Sequence, residues 1–154
     1  MKFRWIEIVR SAWGTVLLVA PREILSRVHG VEVDRKAIVV TRILGARHLV
    51  QAMLSGINPS PEVVAAGVWV DAVHSTTALG LAVVNPHRAR GGITDAIVAA
   101  AWALFGTHDL ASRNARRPDQ QRRRDLLAQM ALQLLPGGKP LLARAQQART
   151  EVAT

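Results

Sequence analysis

Residues 61–85 read PEVVAAGVWVDAVHSTTALGLAVVN, and the fold turns on which solvent this stretch requires. Pro61 and Glu62 pair a first-turn proline with a first-turn acid, a combination that opens a helix, and Asn85-Pro86 closes it. Between these ends the apolar residues cover nearly the whole circumference. A helix of that kind must be surrounded on all sides, and a chain of 154 residues offers only one small domain to do it. Hydrocarbon meets the same requirement. About 20 helical residues cross a bilayer core of about 30 Å, so this stretch is expected to be a membrane span.

Working outward, Gly56-Ile57-Asn58-Pro59-Ser60-Pro61 stops the preceding helix at about residues 36–56. So short a linker makes the two helices antiparallel neighbours. Downstream, His87-Arg88-Ala89-Arg90-Gly91-Gly92 reads as a basic turn. A further helix follows at about residues 92–108, with Asp95 in its first turn. Upstream, residues 5–20 form a first helix closed by Pro21. Glu7 and Arg10 sit i,i+3 at its start, where they pair with each other or with headgroups. These charges interrupt the apolar run that a cleaved signal needs, so this helix is expected to be retained. A connector spans residues 21–36, with an interfacial turn at residues 24–28. Residues 1–110 thus form a four-span domain, and the chain is expected to be all-α, an integral membrane four-helix bundle. Its first and fourth helices are short for a bilayer and rely on snorkelling or local thinning.

Residues 111–154 differ in kind. They hold nine of the twenty Lys/Arg and three of the eleven acids, so +6 of the formal +9 lies there. Leu126, Leu127, Met130, Ala131, Leu134 and Leu135 draw an apolar stripe along a helix at about residues 119–135. Pro136-Gly137-Gly138-Lys139-Pro140 ends it, and a weaker helix follows. A basic amphipathic tail helix beside a membrane domain fits an anionic leaflet, with Arg113, Arg116, Arg117, Arg122, Arg123 and Arg124 contacting lipid headgroups. Docking onto a partner and a plain solvated helix are the alternatives. The same arginines place the C-terminus in the cytoplasm of a plasma (inner) membrane. Four spans then return the N-terminus, with Lys2 and Arg4, to the same side.

Cysteine and tyrosine are absent, which removes disulfides, thiolate catalysis and thiolate metal sites. The four tryptophans lie in the apolar part and the arginines concentrate in the tail. Aromatic and basic residues are therefore not interleaved for base stacking, and nucleic acid is disfavoured. No phosphate-binding loop, nucleophile elbow or zinc-protease pattern occurs. No enzyme activity, cofactor or metal is expected.

The polar residues inside the apolar helices stand out, since a mid-bilayer charge costs about 2.5–3.5 kcal/mol even on the lenient insertion scale. Arg47 and His48 lie near the middle of the second helix, Asp71 and His74 near the middle of the third. Antiparallel packing brings them level, with Arg42 snorkelling to an interface. The structural reading has Arg47 or His48 meeting Asp71 or His74 to hold the helices in rotation. The functional reading makes the cluster a proton relay or small polar binding site.

Residues 42–52, Arg-Ile-Leu-Gly-Ala-Arg-His-Leu-Val-Gln-Ala, follow a first helix ending Val-Ala-Pro, with Asp71-Ala-Val-His74 and Asn85-Pro86 further on. Over residues 13–110 this layout resembles small four-helix integral membrane proteins of actinobacteria. Their Arg-x-x-Gly-Ala-Arg element opens the second span, and they have no assigned activity. The resemblance implies a topology and marks Arg42, Gly45, Arg47 and Asp71 as the positions to test. The functional expectation is a non-enzymatic membrane component acting through a membrane protein partner or homo-oligomer. A small proton-coupled transporter or oligomeric channel is the alternative, and a soluble helical nucleic-acid-binding protein the third.

Overall fold

The computed structural model describes residues 5–56, 58–112 and 123–150, and these are helical with short connections. Helix α1 (Ile6–Val19) ends where Pro21 starts the short α2 (Pro21–Glu23), which runs into a π-helical stretch, Ile24–His29. Gly30, at φ +60°, ends that stretch, a backbone state that glycine adopts without steric cost. Helix α3 (Arg35–Ser55) begins at Asp34, whose carboxylate accepts from the Ala37 amide at 2.6 Å. Helix α4 (Pro61–Val84) begins at Ser60, with Pro61 in its first turn. Helix α5 (Ala89–Ala111), α6 (Arg123–Leu134) and α7 (Gly138–Thr150) follow.

The long helices pack as two antiparallel pairs. In α1 and α3 the backbones meet at Gly14 and Gly45: a Cβ on Gly45 would lie 2.7 Å from the Gly14 carbonyl oxygen. In α4 and α5 the close approach is at Gly92, where a Cβ would lie 2.8 Å from the Ala78 carbonyl oxygen. Small residues allow such approach where helix association depends on van der Waals contact.

This packing corrects the expected start of the fourth helix. Gly91-Gly92 is not a turn, because α5 begins at Ala89 and needs Gly92 inside the helix to reach α4. Asp95 consequently lies in the second turn, where it pairs with His74.

Two described helices, α3 and α4, are long and apolar enough to cross a membrane, and only 28% and 22% of their most apolar windows are buried. At 14 residues α1 is short for a bilayer, whereas α5 has 23. Large apolar side chains face outward along the helices, including Met53, Leu79, Val83 and Leu104, while Glu7, Arg10, His48 and Asp71 are buried.

The tail packs against the end of this assembly. Leu132 of α6 and Leu142 and Ala145 of α7 form a core with Val64, Ala65 and Leu110, and Trp69 Nε1 donates to the Pro136 carbonyl at 2.8 Å. Helix α6 turns Asp125, Ala128 and Leu132 inward, whereas Leu126, Leu127, Met130 and Leu134 are exposed. The stripe seen in the sequence is therefore the outer face of α6. A narrower face of Asp125, Ala128 and Leu132 does the docking. The first residues expected for this helix, 119–122, lie outside the described set.

Candidate functional site: a carboxylate joining four helices

Asp71 projects from the middle of α4 with 1% of its side chain exposed; two other helices, α1 and α3, reach it directly, and α5 contacts its Arg10 partner. Arg10 of α1 grips it with both ends of its guanidinium, Nη1 to Oδ1 at 3.2 Å and Nη2 to Oδ2 at 2.9 Å. Arg47 Nη2 of α3 donates to Oδ1 at 2.8 Å and to the Val70 carbonyl at 3.3 Å. One turn further along α3, Gln51 Nε2 donates to Oδ2 at 3.2 Å and to the Gly67 carbonyl at 3.3 Å. From α5, the Trp102 ring lies 5.0 Å from the Arg10 guanidinium carbon, a cation–π distance. Glu7 approaches Arg10 Nε at 3.5 Å.

A carboxylate has about four lone-pair positions, and this one receives four donors. Two guanidinium groups and two carboxylates, Arg10, Arg47, Glu7 and Asp71, make the cluster neutral by formal charge. Burying ions is tolerated when their partners and hydrogen bonds are complete, and here Asp71 is saturated. Beside it lies a polar cavity of about 10 Å³, bounded by residues including Glu7, Arg10, Gln51 and Trp102. That is about the room one water needs.

Of the expected cluster, Arg47 and Asp71 do meet, but His48 and His74 do not join them. One step along a helix turns about 100°, so His48 lies on the α3 face with Thr41, Gly45 and Ala52 that is buried against α1. Its ring nitrogens have no hydrogen-bond partner among the described residues. His74 faces α5 and contacts Asp95 through Nε2 at 2.9 Å. Arg42 is exposed.

Arg10 is the member that sequence reasoning missed, having been placed at an interface. Its signal was the spacing Arg10, Gly14, Leu17, which puts the charge on the same face as the residues that pack α1 on α3.

A second buried ion cluster ties the tail to α4. Glu62 is fully buried and receives Arg149 Nε and Nη2, each at 2.7 Å, with Gln129 Nε2 at 3.3 Å. The hydrogen bonds that Arg149 donates to Glu62 hold its pKa above the ordinary value. Ser60, the α4 cap, donates to Asp125 at 2.7 Å. Arg124, expected on the membrane surface, donates to the carbonyls of Leu54 and Ser55 at the end of α3 and of Asn58 in the linker, with 28% of its side chain exposed. Free carbonyls at a helix end are natural acceptors for a basic side chain. Arg123 is exposed, and Arg113, Arg116, Arg117 and Arg122 lie outside the described residues.

The described residues contain no group of three or more His, Asp or Glu arranged to hold a metal ion. Comparison of the chain with protein families, curated proteins and solved structures gave no match.

Proposed function

We propose that this chain is a four-span protein of the plasma (inner) membrane with both termini in the cytoplasm, acting as a non-enzymatic structural or interaction component. The observation that carries this reading is the coordination of Asp71. All its lone pairs are engaged by groups from α1 and α3, so it offers no open acceptor to a solute or a carried proton. A carboxylate engaged in this way holds helices in register. The membrane setting is supported by the inverted distribution of side chains, with charges such as Arg10 and Asp71 inside and many large apolar groups outside. The resemblance to small actinobacterial four-helix proteins supports the same topology. The outward apolar faces offer contacts to lipid and to a membrane protein partner or a second copy. The tail arginines offer contacts to anionic headgroups.

The test is alkaline carbonate extraction of cell membranes. Retention in the pellet is expected, and release into the supernatant would overturn the proposal in favour of a soluble helical protein. A small proton-coupled carrier or oligomeric channel is the second reading, favoured by the one-water polar cavity beside Asp71. pH-driven flux in proteoliposomes separates the two. Flux above empty liposomes that disappears in Asp71→Asn would replace the structural reading, which expects none.

A further inference from the structure

Helices α3 and α4 meet at the Asp71 cluster and then leave a groove between them. Its volume is about 400 Å³ and its walls are apolar, with Val50 and Leu54 on one side, Val63, Ala66 and Val70 on the other. Volumes of this order accommodate small amphiphilic ligands. The groove opens outward, since Val50 is 55% and Leu54 61% exposed. At one end it stops at Arg47, whose charge Asp71 engages. At the other it reaches Arg124 and Leu127 of α6, so its floor continues onto the exposed apolar face of that helix. Arg47 to Ser55 along α3 is a rise of about 12 Å at ~1.5 Å per residue. That approaches one leaflet's half of a hydrocarbon core about 30 Å thick.

The charges at the two ends differ. Arg124 makes three contacts to neutral carbonyls, and a guanidinium has five N–H donors. Its acidic neighbour Asp125 is 3.9 Å away and already accepts from Ser60. Arg123 beside it is exposed. Arg124 lines the tail end of the groove, and among the described residues around it Arg123, Arg124 and Arg149 against Glu62 and Asp125 leave one net formal positive charge. The Asp71 end is neutral.

We propose that this groove is a binding site for one anionic glycerophospholipid, with an acyl chain between α3 and α4 and the phosphate at Arg123 and Arg124. The site rests on the membrane reading above, because it takes its ligand from the surrounding leaflet. Basic pockets at the cytoplasmic ends of membrane helices bind such headgroups, and the apolar groove supplies the chain contact that a free anion would lack.

Native mass spectrometry of the full chain in detergent, with added dioleoyl phosphatidylglycerol or dioleoyl phosphatidylcholine, tests this. A one-to-one phosphatidylglycerol adduct is expected at roughly tenfold lower lipid concentration than for phosphatidylcholine. Val50→Trp, which fills the groove from an exposed position, should weaken that adduct by about tenfold. Val83→Trp, at a 76% exposed site outside the groove, should leave it unchanged. Arg123→Gln should reduce the preference for phosphatidylglycerol, and excess inorganic phosphate should not displace the lipid. Unaltered helicity and elution volume confirm that each variant is folded. Equal binding of the two lipids, equal behaviour of the two tryptophan variants, or full displacement by phosphate would each overturn the proposal. Carbonate extraction reports separately on the membrane reading, so a chain retained in the membrane without lipid preference loses only the groove site.

Discussion

The two buried ion clusters use the same chemistry for different joints. At Asp71 a carboxylate within an apolar helix gathers donors from α1 and α3, while α5 supplies an aromatic face to Arg10. At Glu62 a carboxylate in the first turn of α4 gathers Arg149 and Gln129 from the two tail helices. The first joins the α1–α3 pair to α4 next to the open groove between α3 and α4. The second sits beside the Leu132, Leu142 and Leu110 core, which holds the tail by apolar contact as well. An ion cluster therefore carries more of the joint where packing supplies less.

The largest effect is expected from breaking the first cluster. Asp71→Ala leaves two guanidinium groups without their shared partner and should destabilise the detergent-solubilised chain by about 3–5 kcal/mol, read by chemical unfolding. The double-mutant cycle of Arg47→Ala and Asp71→Ala should show coupling of about 0.5–3 kcal/mol. Arg10→Ala should cost more than Arg47→Ala, because the Arg10 side chain is 4% exposed and that of Arg47 21%. Additive effects in the cycle would show that the contact does not hold the helices.

Glu62→Ala sharpens the contrast. It should cost about 1–3 kcal/mol, moderated by the partial exposure of Arg149. The loss should appear as faster proteolysis within residues 123–150 with the Asp71 joint intact. Simultaneous unfolding of both regions would show that they are one cooperative unit.

Gly45→Ala probes the packing beside the first cluster. Its Cβ would meet the Gly14 carbonyl oxygen, a backbone atom that cannot swing away. Overpacking of this kind costs about 1–3 kcal/mol, measurable in the same unfolding experiment. Wild-type stability would mean that α1 and α3 adjust without loss.

The smallest effect is expected at the far end, in acid. Bonding to the Ala37 amide, followed by the Arg88 charge, holds the Asp34 pKa below its ordinary 3.8 despite opposing desolvation. A depressed carboxylate stabilises the fold above pH 3.8 and loses that contribution as pH falls through the lowered folded value. Protection of the Ala37 amide, measured relative to its intrinsic exchange rate, should therefore fall as the pH drops through that lowered value in the wild type. Asp34→Ala should show faster exchange already at neutral pH, without changing the Asp71 joint.

Much of the first cluster was legible because a charge in an apolar run is conspicuous, which singled out Arg47 and Asp71 and the antiparallel turn that levels them. His48 and His74 were equally conspicuous but turn toward other helices, a rotation that adjacency in sequence hides. Arg10 was read as interfacial because it lies near the end of a short helix. Glu62 looked like an ordinary first-turn acid, and its burial depends on tail helices distant in sequence.

The sequence by itself determined that the chain is helical, the order of its long helices and the two long apolar segments, because periodicity, caps and prolines act over a few residues. It also determined that charges sit inside apolar helices, since that is composition at a position. Only the tertiary structure decided which charges meet, which face of α6 packs inward and that Gly92 lies within a helix. Those outcomes depend on the rotation of each helix against its neighbour, and steps of about 100° per residue leave that rotation open until the packing partner is present.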